Sequence, residues 1–387
     1  MRAIWASVIG AALGAASCVE AATVQQGQFG TLKDGSPVTI FTLSNGKGMT
    51  ARIINYGAIL QSVIVPDRHG RREDVALGYA DMKGYLVAPN YFGATVGRYA
   101  NRIKAATFSI DGTAYHLAAN NGPNALHGGI VGFDKHLWTV VDSASGPSAH
   151  VTLRYVSADG EEGYPGTLTV TATYSLNEQD ELKVVYSATT DKPTILNITN
   201  HSFWNLAGEA SQRLILDEML TIPAETTTPV DATLIPTGQF RPVAGTPFDF
   251  RTPHRIGERI RDGRDDQIVF GQGYDENFVI ARSPSAEPRL NARIEDPYSG
   301  RVLEISSNQP GVQLYTGNFL DGTAIGKSGH SYRQSDGIAL EPQVFPNTPN
   351  QPEFGSARLD PGQTYQNIIV YRFSTDAAVR KAGRKAN

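Results

Sequence analysis

Cysteine is nearly absent from this chain. Its single example, Cys18, lies within the first 26 residues, which excludes a disulfide framework and a cysteine-ligated zinc site, and excludes any thiol nucleophile once that segment is removed. An excess of one charge is also lacking. The 34 Lys and Arg against 38 Asp and Glu leave a net charge of -4, dispersed along the sequence, so no basic face is available for phosphates and nucleic acid is not an expected partner. Uncharged runs stay short of the roughly 20 apolar residues that cross a bilayer. The GxxxxGKS/T phosphate loop, a GxGxxG between strand and helix, the HExxH pair and the GxSxG elbow are all missing.

The amino terminus reads "MRAIWASVIGAALGAASCVEAATVQQ": Arg2, an uncharged stretch from Ala3 to Val19, then Val19-Glu20-Ala21 as a small-residue cleavage site. This predicts a signal peptide over residues 1–21, cleaved after Ala21, and a periplasmic or secreted bacterial protein without stable membrane association. Lipidation at Cys18 and retention as an anchor are the alternatives. Residues 27–375 show no linker, charge block or repeat and are expected to form one domain, followed by a tail over 376–387.

Helical periodicity is weak, whereas strand patterns recur. In "TLTVTATYSL", Leu168, Val170, Ala172, Tyr174 and Leu176 alternate with Thr and Ser, and the turn "NEQDE" leads into "LKVVYSATT", which predicts an antiparallel hairpin. Similar runs occur in "PVTIFTLSNGKGMTARIINYG", "SGRVLEISSN" and "QNIIVYRFS". With 39 Gly and 22 Pro to make turns, the pattern predicts an all-β antiparallel sandwich with a concave sheet face on which a small ligand can lie.

Several polar stretches resist a purely structural explanation. "TNHSFWNLAG" sets His201 between Asn200 and Asn205, beside Phe203 and Trp204. "GRYANRI" carries Arg98, Asn101 and Arg102, and "NALHGG" places His127 before two glycines. "YDENF" holds Asp275, "GVQLYTGN" holds Gln313, and "IALEPQ" puts Glu341 directly after an apolar strand. Each alone is as compatible with a salt bridge or a satisfied core group as with a site. The sequons at Asn197 and Asn200 fall inside this region and are read as chance matches.

Together with "TLIPTGQFRPVAGTPFDFR", "GVQLYTGNFLDG" and "IALEPQVFPNTPNQPEFG", these motifs resemble, in order and spacing across about residues 27 to 375, the aldose 1-epimerases or galactose mutarotases. The resemblance implies a single large β-sandwich that interconverts the α and β anomers of free aldohexoses such as galactose and glucose, with no cofactor and no metal, as a monomer or homodimer. It also implies Glu341 as the base at the C1 hydroxyl and His201 as the acid at the ring oxygen. Asn101, Arg102, His127, Asp275 and Gln313 would hold hydroxyls. On this reading Glu341 is ionised near pH 7, His201 needs a modest upward shift to stay protonated, and the flanking amides orient its ring. Phe203, Trp204 or Phe278 would supply an apolar wall, although core packing is their commoner role. Glu276, where the family often has His, is expected to add charge beside Asp275. A non-catalytic sugar-binding protein of the same fold, and a glycoside hydrolase using Glu341 and Asp275, are the alternatives.

Overall fold

A computed structural model describes residues 21–87 and 90–376. The predicted leader and tail lie outside these residues, apart from Ala21 and Asp376. Strands dominate the described residues, whose two α-helices, Met82–Val87 and Asp266–Gly271, have 6 residues each.

The predicted hairpin is present. Leu168–Asn177 alternates buried and half-buried residues along its whole length and pairs antiparallel with Glu181–Thr190, Leu176 opposite Leu182. Period-two alternation puts every second side chain on one face, so one face packs and the other stays in solvent. Glu181–Thr190 then pairs with Tyr365–Thr375, which pairs in turn with Arg301–Ser307. These strands form the centre of an antiparallel nine-stranded sheet running from Thr139–Ala144 to His254–Arg255. The last long strand of the chain is thus inserted between strands from its middle.

A six-stranded sheet packs across this one and carries the site. Four of its strands are labelled here with one flanking segment: β1 (Thr199–His201), β2 (Phe203–Trp204), β3 (Asp275–Val279), β4 (Gly311–Tyr315) and β5 (Ile338–Gln343). The order is β2-β5-β4-β3, followed by Thr226–Thr227 and Arg241–Pro242, while β1 pairs separately with Ala94–Val96. Phe278, Val312, Leu314, Ile338 and Leu340 face the main core, together with Val170, Tyr174, Val184, Ile305 and Ile369 of the larger sheet. A third sheet, of five strands between Thr23 and Asp74, contributes Phe41, Leu43, Ile53 and Leu60 to the same core.

The buried hydroxyls and amide that join β1 to this core are paired, which offsets the cost of their desolvation. The Tyr174 hydroxyl donates to the Ala58 carbonyl at 2.7 Å. Asn200 on β1 donates to the Gly93 carbonyl at 3.0 Å and to Tyr174 Oη at 3.2 Å, and its Oδ1 accepts from Tyr371 at 3.2 Å. These bonds tie β1 to the nine-stranded sheet below it. Asn197 and Asn200 are fully buried, which agrees with reading their sequons as chance matches.

Candidate active site

The second face of β3, β4 and β5 is polar where the first is apolar. On β5, Ile338 and Leu340 point into the core, so Ala339, Glu341 and Gln343 point the other way; on β4 the same rule leaves Gln313 and Tyr315, and on β3 Asp275 and Asn277. Register brings Asn277, Gln313 and Glu341 into one row across three strands. Glu341 therefore lies within its strand, not after it, as the sequence suggested.

Above this floor lies a cavity of about 590 Å³ lined by Asn101, Arg102, His127, His201, Asp275, Gln313 and Glu341. All seven residues expected from the sequence are thus brought together, and all are buried. His201 Nε2 lies 3.5 Å from Glu341 Oε1. Gln313 Nε2 donates to Asp275 Oδ1 at 2.6 Å, and Arg102 Nη2 lies 3.9 Å from Asp275 Oδ2.

The two loop motifs lock each other. The Asn101 N–H donates to His127 Nδ1 at 3.2 Å, and the His127 N–H donates to the Asn101 carbonyl at 3.0 Å. With Nδ1 accepting, the proton of a neutral His127 sits on Nε2, which makes the ring a donor there. Gly128 has φ +88 and a Cβ on it would collide with the Gly97 carbonyl, so the turn after His127 requires glycine. Arg102 Nε donates to Asn121 Oδ1 at 3.0 Å.

Charge states differ from the sequence expectation. Burial pulls the His201 pKa down to about 4. It pushes Glu341 well above the usual carboxylate range, with the Asp275 charge adding to the rise and Arg102 opposing it. Burial likewise lowers His127 and raises Asp275, the latter against the pull of Arg102 and Gln313. The sequence reading took residue types at their solution values, whereas a dry site disfavours every charged form. Burial therefore pushes the His201–Glu341 pair toward a neutral imidazole beside a neutral carboxyl.

Other expectations are corrected as well. Asn200 and Asn205 do not orient the His201 ring: Asn200 faces the core, and Asn205 donates to the carbonyls of Arg213 at 2.7 Å and Asp336 at 2.9 Å. His201 Nδ1 has no hydrogen-bond partner. Arg98 turns away from the site and donates to Ser157, Ala158 and Pro165. Glu276 points to the opposite face from Asp275, and burial pushes its pKa well up, which works against a charge at this position. Of the three aromatics weighed as a wall, Phe203 lines the cavity, while Trp204 and Phe278 pack in the main core. Sequence reading missed Tyr91, Asn121, Tyr315 and Phe319 in the lining. Period two from Gln313 points to Tyr315, but nothing local marks Asn121.

The arrangement sets an imidazole and a carboxyl 3.5 Å apart, close enough to serve one small ligand between them, inside a polar cleft of small-molecule size. The sequence profile of the aldose 1-epimerase family matches residues 39–372. The galactose mutarotase of Homo sapiens is 46% identical over 354 residues, covering 91% of this chain and 99% of its own. The aldose 1-epimerase of Escherichia coli (strain K12) is 34% identical over 342 residues, 88% of this chain and 96% of its own. A crystal structure of galactose 1-epimerase from Lactobacillus acidophilus NCFM is similar with a TM-score of 0.80 and 30% identity, over 91% of this chain and 99% of that one.

Proposed function

The chain belongs to the aldose 1-epimerase family, and on that premise we propose that it interconverts the α and β anomers of free aldohexoses such as galactose and glucose, with Glu341 and His201 moving the protons. Asn101, Arg102, His127, Asp275 and Gln313 hold the sugar. The observation that carries this reading is the 3.5 Å approach of His201 Nε2 to Glu341 Oε1 inside a polar cavity.

Ring opening moves two protons. Glu341 takes the O1 proton, the O1–H electron pair becomes the second C1–O1 bond, and the C1–O5 pair leaves to O5, which receives a proton from His201. Rotation about C1–C2 presents the other face of the aldehyde, and the steps reverse. At the aldehyde stage Glu341 is protonated and His201 is neutral. Burial favours that same distribution, so the dry site stabilises the protonation state of the intermediate. Before ring opening, Arg102 and the sugar hydroxyls offset the cost of the ionised carboxylate. Both states carry one proton, so the cycle exchanges none with solvent.

Asp275, held by Gln313 and Arg102, is an acceptor for hydroxyls, and neutral His127 is a donor through Nε2. The test is polarimetry of freshly dissolved α-D-galactose and α-D-glucose. Acceleration over buffer is expected; a rate equal to buffer for both, and for xylose and arabinose, sinks the reading.

Export is part of the proposal, supported by Arg2, the uncharged Ala3–Val19 stretch and Val19-Glu20-Ala21. No helix among the described residues is long and apolar enough to cross a membrane. Amino-terminal sequencing of the protein from a bacterial periplasm should begin at Ala22, and recovery of the intact chain from the cytoplasm alone refutes export.

A further inference from the structure

A catalytic imidazole is ordinarily fixed through its second nitrogen, yet His201 Nδ1 is buried without a partner. Rings surround it instead. Phe203 lies at 5.0 Å and 35°, Tyr91 at 5.8 Å and 31°, and the edge of His127 at 5.1 Å and 82°. Tyr91 packs against both imidazoles, its centroid 4.6 Å from that of His127.

Tyr91 belongs to no strand. Its φ of +59 lies in the left-handed region, which a bulky side chain adopts at a cost and which Asn or Gly adopts readily. Gly93 pins the turn: its φ is +68, a Cβ there would collide with the Leu60 carbonyl, and its N–H donates to the His201 carbonyl at 3.0 Å. The Lys135 ammonium lies 5.3 Å from the Tyr91 centroid, itself held by Asp134 at 2.7 Å. A large ring at a backbone position suited to a small residue, in contact with a clamped ammonium and two imidazoles, points to a purpose in what it touches.

We propose that Tyr91 is a positioning residue for mutarotation: it holds the rings of His201 and His127 in their reactive orientations and shuts water out from the part of the His201 ring it packs against. The inference rests on the proton-transfer reading above. The titratable and charged groups facing His201 are Glu341 at Nε2, His127 and Tyr315, with Arg102 and Asp275 beyond Glu341 and the Lys135–Asp134 pair beside Tyr91. Burial is the leading cause of the lowered His201 pKa, so opening the Tyr91 side to water raises it toward the ordinary value.

The test uses the full chain with Tyr91→Asn, which removes the ring while suiting the left-handed backbone, so that folding, followed by circular dichroism, is not the variable. Misplacement by an ångström costs on the order of 10² in rate, so kcat for galactose should fall about 10- to 100-fold while KM changes less than about threefold. The His201 titration midpoint, followed by NMR on the ring carbon and assigned with His201→Asn, should rise by about one unit or more. The conservative Tyr91→Phe should recover both. Wild-type kcat in Tyr91→Asn, a loss confined to KM, or an unmoved titration overturns the proposal. If the wild-type chain fails to accelerate mutarotation, the proposed function falls, and the titration alone then decides whether Tyr91 shields and holds the ring.

Discussion

Replacing Glu341 by glutamine separates what the residue does for the reaction from what it costs the fold. Its side chain is buried on β5 with Oε2 unpaired, and burial followed by the Asp275 charge pushes its pKa well up. The folded state then holds the proton more tightly than the unfolded chain, so this group's contribution to stability falls as pH rises above the unfolded value near 4.5. An amide keeps the shape and removes the titration. Glu341→Gln should therefore melt at the same or a higher temperature than wild type at pH 7, and its advantage should grow as pH rises above the unfolded value near 4.5. Activity moves the other way, because an amide cannot accept the O1 proton. Loss of a positioned base costs about 10² to 10⁴ in rate, which at about 1.36 kcal/mol per tenfold is roughly 3 to 5 kcal/mol of transition-state stabilisation. Polarimetry of fresh α-D-galactose beside a thermal melt measures both. A rate within about threefold of wild type removes Glu341 from the mechanism, and a melting point several degrees lower at pH 8 contradicts the burial argument.

Glu218, outside the site, tests the same linkage: burial raises its pKa to about 8, although its Oε1 accepts from the Leu206 N–H at 2.6 Å. Glu218→Gln should remove a loss of stability that wild type shows between the unfolded value near 4.5 and about 8, worth up to roughly 5 kcal/mol; parallel urea-melt pH profiles for the two proteins would contradict it. Asn200→Ala leaves the Tyr371 and Ser202 hydroxyls without their partner and removes one of the two donors to the Gly93 carbonyl, which keeps the Leu60 N–H, and should destabilise the fold by about 2 to 4 kcal/mol. Its rate per folded molecule, measured well below the melting point, should stay within about threefold; a 100-fold loss at unchanged stability would return Asn200 to the site. His201→Asn should lower the rate by about 10² to 10⁴, and polarimetry at wild-type rate in that variant would show that another group protonates O5.

Alternation made the fold readable. Leu168–Asn177 and Glu181–Thr190 were legible because solvent on one face enforces a strict apolar and polar rhythm. The site strands were legible as anomalies for the complementary reason: β5 is buried on both faces, where apolar residues would ordinarily run unbroken, yet it carries Glu341 and Gln343. Register was not legible, since nothing local in "GVQLYTGN" or "IALEPQ" says that Gln313 lies opposite Glu341. Nor were the charge states, which depend on how dry the cavity is. Two errors share one physical origin. Reading Asn200 as a support for His201, and Glu276 as a charge beside Asp275, treats neighbours in sequence as neighbours in space. In a strand they face opposite ways. One member of each pair lines the cavity while the other reaches into the fold behind it. For His201 this division has a consequence: Asn200 is saturated with bonds to Gly93, Tyr174, Tyr371 and Ser202, so the backbone of β1 is held fast from the core side. The imidazole itself is packed by the rings of Phe203, Tyr91 and His127 and meets Glu341 at Nε2. A strand anchored from below, with a ring packed mostly by other rings above, fixes where His201 Nε2 sits, which is what the proposed give and return of a proton in every cycle requires.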